Sequence, residues 1–283
     1  MSIDIEHLRS WIGREEEATG HASGWQAAVM QATLDRVPPA YADGDPLPPG
    51  WHVFYFPEVV RLAETGPDGH RRRGEFLPPV PLPRRMWAGS RMRFLQPLRV
   101  GERLTRLSRI TAVEMKEGRS GPLVFVTTEH TISGENGVAT RDEHVAVYRG
   151  PGVAAGARKG NDAPAEPAWQ RQVVPSPVLL FRFSALTMNS HRIHYDRDYC
   201  TGVEGYPGLV VHGPLVALLL LDLFTEANPG ATPSSFDFRA LAPLFDGAPF
   251  TLAGRPHGDG ATLWAAGADG QVAFGATVEC TPD

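Results

Sequence analysis

The chain has 283 residues, 42% of them hydrophobic and 21% charged, with a formal net charge of −5. That length buries a sizeable core in one large or two ordinary domains, and the negative balance removes any electrostatic case for nucleic acid. Cys200 and Cys280 are the only cysteines, too few for a disulfide framework and suited to a reducing cytoplasm. The opening MSIDIEHLRSW carries early acidic residues and no apolar core, so it does not read as a secretory signal. The longest apolar run, Leu215 to Phe224 broken by Asp222, falls short of the roughly 20 residues that a membrane span needs. The expectation is a cytoplasmic protein with neither nucleic acid nor membrane as partner.

In chain order, Leu123 to Ile132 is rich in β-formers, SGENG turns the chain, and Val138 to Arg149 returns with alternating apolar residues. Residues 151–172 are rich in Gly, Ala and Pro without apolar periodicity and read as a linker. The linker divides the chain into domains 1–150 and 173–283. In the second, Ser184 is expected to cap a short helix, and Pro214 to sit in the first turn of a buried helix over the apolar run. Thr262 to Ala266, the turn GADG and Gln271 to Cys280 form a closing hairpin.

The halves share a pattern. Arg93 to Thr105 (RFLQPLRVGERLT) aligns with Arg239 to Thr251 (RALAPLFDGAPFT), with six of thirteen positions identical at an offset of 146 residues. A β-meander follows each copy, which favours duplication. Each half is then expected to be a curved antiparallel sheet with one apolar helix, the two sheets pairing. Shifting His194 and His212 by that offset lands on Pro48 and Gly66. One half therefore carries the histidines, and the other is left to hold structure or substrate.

Three histidines draw attention: His191 and His194 in NSHRIHYD, and His212 in VVHGP. A metal site would use them with Asp196, but Pro and Gly cluster nearby, no His-Glu-x-x-His signature is present, and thiolate ligands are lacking. Packing alone is the better account of His191, and His212 is as readily a backbone-bonded structural residue as a functional one. His194 differs, because Ile193 and Tyr195 bracket it with apolar bulk and Asn189 lies five residues back. Partial desolvation there is expected to keep its pKa useful for acid–base work near neutrality. Gly213 precedes Pro214, so its N–H is expected at a helix N-terminus, where orphan donors and the dipole favour an anion. A base, an amide and an oxyanion donor suit hydration or dehydration next to a carbonyl.

FSALTMNSHRIHYDRDY (Phe183 to Tyr199) with GYPGLVVHGPL (Gly205 to Leu215) resembles the MaoC-like hydratase/dehydratase family of hot-dog-fold enzymes. RRMWAGSRMRF (Arg84 to Phe94) extends the likeness more weakly into the first half. Within that family the pattern is most like the two-domain mesaconyl-CoA and itaconyl-CoA hydratases, and mitochondrial 3-hydroxyacyl-thioester dehydratases share much of it. The resemblance implies an α+β double hot dog acting on an acyl-CoA thioester, with no separate cofactor and no metal, and open to assembly as a homo-oligomer. It places the catalytic histidine at His194, the carbonyl-polarising amide at Gly213, and Asn189 where the (R)-specific enoyl-CoA hydratases carry an aspartate. Arg192, Arg239, Arg93, Arg91, Tyr206, His212 and Trp87 are candidates for holding substrate, although surface solvation or core packing explains any one of them alone. The implied reaction is hydration of a branched C5 dicarboxylic acyl-CoA. The alternatives are a general (3R)-hydroxyacyl-thioester dehydratase and a non-catalytic acyl-thioester binder.

Overall fold

The computed structural model describes residues 3–118, 121–150 and 161–281. Ten strands form one antiparallel sheet. In the first half these are β1 (Glu15–His21), β2 (Arg84–Phe94), β3 (Arg103–Gly118), β4 (Gly121–Gly134) and β5 (Gly137–Arg149). The second half supplies β6 (Trp169–Val173), β7 (Pro233–Ala240), β8 (Phe250–His257), β9 (Gly260–Ala266) and β10 (Val272–Cys280). Four α-helices accompany them: α1 (Ile5–Arg9), α2 (Gly24–Thr33), α3 (Pro177–Thr187) and α4 (Gly213–Ala227).

Spatial order along the sheet is β1-β3-β4-β5-β2-β7-β10-β9-β8-β6. Read outward from the β2–β7 seam, each half follows the same path: second strand, fifth, fourth, third, first. At the seam Arg91 faces Asp237, positions 146 apart, which is the offset of the sequence repeat. An approximate two-fold axis therefore runs through that pair. The turns entering β3 and β8 also match: Gly101 (φ +89°) and Gly247 (φ +85°) adopt the left-handed conformation that a side chain resists. The architecture is α+β, a double hot dog within one chain.

Helix α4 is the one wrapped by its sheet. Leu215, Val216 and Leu220 have no exposure, and burying such side chains stabilises by about 1.5–3 kcal/mol each. The one acidic residue in the apolar run, Asp222, reaches Arg171 at 3.0 Å and also pairs with Arg36. Burial pushes its pKa up against those two partners.

Three expectations need correction. The first half has no counterpart of α4: residues 67–81, which stand where the offset would put it, form turns and irregular chain. Eleven prolines between Pro38 and Pro83 deny that segment a continuous helix. A short 3-10 turn, Trp51–Phe54, and the fully or nearly buried Phe54, Tyr55 and Phe56 fill part of the space instead. Second, Ser184 does not cap a helix. Ser176 does, accepting from the Leu179 N–H at 3.1 Å with Pro177 in the first turn, while Ser184 lies inside α3 and uses its hydroxyl elsewhere. Third, the span 151–172 is not linker throughout. Residues 151–160 lie outside the described residues, but Trp169–Val173 is strand β6, paired with β8. As an edge strand with one neighbour and alternating Gln and Arg, it lacks the apolar run that marks a central strand.

Candidate active site

The site is built on the loop leaving α3. Met188 closes that helix in the left-handed conformation (φ +53°), a strained state for a residue with a side chain. Asn189 follows at once: its N–H donates to Ser184 O at 2.9 Å, and its Oδ1 accepts from the His191 N–H at 3.1 Å. The Asx turn so formed leads into a 3-10 turn, Arg192–His194. His194 is buried, and its Nδ1 lies 2.7 Å from Val210 O. A carbonyl only accepts, so Nδ1 carries the proton and Nε2 presents its lone pair.

Other rings hold that imidazole in place. His212 stacks on it at 3.7 Å between centroids and 18° between planes, and is itself fixed by Ser184 Oγ, 2.8 Å from Nε2. His191 meets it edge-on at 5.5 Å, and His70 packs on His191 at 4.3 Å. Burial drives the His194 pKa down to about 4 and those of His70, His191 and His212 well below the usual value. This corrects the expectation of a pKa near neutrality. The rings are enclosed rather than partly wet, so His194 is neutral and acceptor-ready throughout the physiological range.

Gly213 is the first residue of α4, and among the described residues its N–H has no hydrogen-bond partner. The helix dipole adds to it, and Pro214, which has no N–H, follows. Trp87, from β2 of the first half, covers this glycine: a Cβ there would stand 2.7 Å from the indole Cε3. Trp87 stacks between His144 (5.5 Å) and Phe238 (4.9 Å), and its Nε1 is buried without a partner.

The first half also clamps the loop itself. The Arg192 N–H donates to Asp68 O at 2.9 Å, and Ser190 Oγ donates to Gly69 O at 2.6 Å. Gly69 sits at φ +91°, and any Cβ on it would lie 1.9 Å from Ser190 O. A pocket beside the loop is lined by Asp68, Arg85, Met86, His191, Ile193 and Tyr206, among others. His194, Asn189 and Gly213 are not among the residues that line it.

The remaining candidates divide. Tyr206 lines the pocket, its hydroxyl 3.8 Å from Met86 Sδ. Arg192 is engaged at home, with Asp196 Oδ2 at 2.7 and 2.9 Å, Pro67 O at 3.0 Å and its guanidinium over Tyr199. Arg93 pairs with Asp237 at 2.9 Å and Arg91 with Glu143 at 3.0 Å, both across the sheet surface, and Arg239 is exposed on β7. These four arginines face away from the histidine cluster because β2 and β7 alternate sides and the loop folds Arg192 onto its own carboxylate. No group of three or more His, Cys, Asp or Glu side chains among the described residues is disposed to hold a metal ion. The sequence reading passed over Gly69, His70 and Arg85. The last sits in the RRMW stretch already marked by likeness, two residues before Trp87.

Fold and site together define a hydro-lyase of the MaoC-like class. Residues 50–246 match the family described as hydroxyacyl-thioester dehydratase type 2, and the chain belongs to that family. It is 48% identical over 271 residues to the mesaconyl-C(4)-CoA hydratase of Chloroflexus aurantiacus, covering 95% of this chain and 96% of that protein. It is 39% identical over 80 residues, 28% of this chain and 27% of the other, to the mitochondrial hydroxyacyl-thioester dehydratase type 2 of Schizosaccharomyces pombe. Among solved structures, the MaoC-like dehydratase from Phytophthora capsici superposes with a TM-score of 0.70 at 15% identity, covering 99% of both chains. HtdX of Mycobacterium tuberculosis does so at 0.65 and 18%, covering 95% of this chain and 100% of its own. At those identities the two structures speak to the fold alone.

Proposed function

We propose that this enzyme reversibly hydrates a branched C5 dicarboxylic enoyl-CoA, mesaconyl-C4-CoA or itaconyl-CoA, to citramalyl-CoA. The observation that carries the chemistry is the tautomer of His194: with Nδ1–H held by Val210 O, Nε2 is the free acceptor, beside an unpaired N–H at the start of α4. Similarity to the Chloroflexus hydratase over nearly the whole chain supports the substrate class.

In this reading, for mesaconyl-C4-CoA, whose double bond is conjugated with the thioester, His194 Nε2 takes a proton from water as the water oxygen bonds to the β-carbon. The π electrons move toward the thioester carbonyl, whose oxygen becomes an enolate held by the Gly213 N–H and the α4 dipole. The imidazolium, made strongly acidic by burial, then returns its proton to the α-carbon. Itaconyl-CoA, whose double bond is β,γ, first has to be isomerised into conjugation by moving a proton from its α-carbon to its methylene carbon. Asn189 spends Oδ1 on the Asx turn, which leaves its NH₂ group to orient the water. An aspartate would serve that turn as well. Charge is the difference: a carboxylate about 4 Å from that of the substrate would oppose it by about 4 kcal/mol at an effective dielectric near 20. The test is to incubate purified protein with mesaconyl-C4-, itaconyl- and crotonyl-CoA and follow hydration by mass. Preference for crotonyl-CoA would replace this reading with a general hydroxyacyl-thioester dehydratase.

A further inference from the structure

Arg85 is half-buried on β2 and, among the described residues, its guanidinium makes no hydrogen bond or ion pair. The two carboxylates that share the pocket, Asp68 and Glu204, form no ion pair with it. Arg84 bonds Glu204 at 3.1 Å, Asp68 Oδ1 accepts from the His70 N–H at 3.1 Å, and Arg73 donates to the carbonyls of Val80, Leu82 and Pro83. The histidines it neighbours are neutral. A guanidinium with carboxylates near it but none in contact keeps its donors for a further anion in a partly dry site. Its place fixes which one. Arg85 lines the pocket with Ile193, the neighbour of His194 in the chain, and His191, whose ring meets His194 edge-on, and it stands on β2 two residues before Trp87, hence on the same face as the indole that covers Gly213. On the proposed function, that neighbourhood of the histidine cluster is the acyl end of the site rather than the nucleotide end of CoA.

We infer that Arg85 binds the free carboxylate of a dicarboxylic acyl-CoA and sets the preference for such substrates. The inference rests on the proposed function and assigns its specificity to one residue of the first half. A guanidinium suits this task, because two parallel N–H groups grip a carboxylate and hold the β-carbon bearing it before the base. Lysine offers a point charge without that fork.

The experiment measures kcat/KM for mesaconyl-C4-CoA and crotonyl-CoA in wild type, Arg85→Met, Arg85→Gln and Arg85→Lys. It adds inhibition of crotonyl-CoA turnover by two unreactive thioesters, succinyl-CoA with a free carboxylate and butyryl-CoA without. Loss of a charge-assisted pair predicts that the mesaconyl-to-crotonyl ratio falls roughly 10–100-fold in Arg85→Met and Arg85→Gln, and less in Arg85→Lys. Succinyl-CoA inhibition weakens by a similar factor, and butyryl-CoA inhibition stays within about threefold. Crotonyl-CoA turnover reports that each variant is folded. Equal loss on both substrates and both inhibitors would overturn the assignment and make Arg85 a contact to CoA or to the fold, with the proposed function intact. A wild-type enzyme inactive on every dicarboxylic enoyl-CoA would overturn the proposed function, and this inference with it.

Discussion

His194 is held by one short hydrogen bond and one stacked ring, and both act on the same question, which nitrogen is free. In His194→Ala, turnover falls by the roughly 10²–10⁴-fold typical of losing a general acid–base; near-wild-type turnover would move the chemistry elsewhere. Because burial holds its pKa down to about 4, the wild-type kcat/KM–pH profile shows no limb at the usual histidine pKa near 6.5. A drop centred there would mean that the ring is wetter than it stands. Asn189→Asp preserves the turn but introduces charge, so it penalises mesaconyl-C4-CoA at least tenfold more than crotonyl-CoA; equal loss would leave Asn189 a role in water positioning alone. At this scale the choice of His194, Asn189 and Gly213 as candidates, and Gly213 at the start of a helix, could be read from short motifs of distinct chemical types. Arg85 could not. Its significance is the lack of a partner, and partners are decided by folding.

The catalytic loop is positioned by an element from the other half of the chain. The loop around Gly69 reaches it through three hydrogen bonds and through the His70 ring on His191. Gly69→Ala places a methyl group 1.9 Å from a backbone oxygen at a backbone angle that resists side chains. Strain of order 1–3 kcal/mol follows, and the Ser190–His194 stretch has to move. The expected outcome is a lower melting temperature together with at least a tenfold loss of kcat; a variant as active as wild type would show that the clamp is dispensable. The hairpins β4–β5 and β9–β10 and helix α4 were readable, since alternation, turn glycines and an apolar run are local signals. The missing helix of the first half was not expected, because a repeat in sequence implies a repeat in structure only where the intervening segment can fold alike. The proline-rich stretch cannot.

On the scale of the whole molecule, acid is the weak point. His191, His194 and His212 are buried and His70, His130 and His144 half-buried, all with pKa values depressed by desolvation, His130 to about 3 and His144 to about 4. The unfolded chain takes up those protons near pH 6.5, while the folded chain refuses them until well below. Between these limits the unfolded state binds more protons, so stability is fully present above about pH 6.5 and falls as the pH drops toward 4. Urea denaturation across pH 7.5 to 5 should give a slope of several protons per molecule. A flat profile would mean that these rings are hydrated. The histidines came from both halves, and only the sheet brought them to one core. Composition counted ten of them without revealing that most would be dry.

Helix α4 begins with the only such N-terminus that the duplicated architecture retains, since residues 67–81 form no helix opposite it. A protein made of two like halves would ordinarily offer two equivalent seats, but here one half has surrendered its anion-holding end. One chain therefore takes one acyl group, and a tight-binding analogue titrates a single equivalent per polypeptide. The half relieved of that duty is free to vary in what it presents to the substrate, through Trp87 and Arg85, without disturbing proton transfer. With the roles proposed for Arg85 and His194, selectivity and reactivity are housed on different sides of the β2–β7 seam.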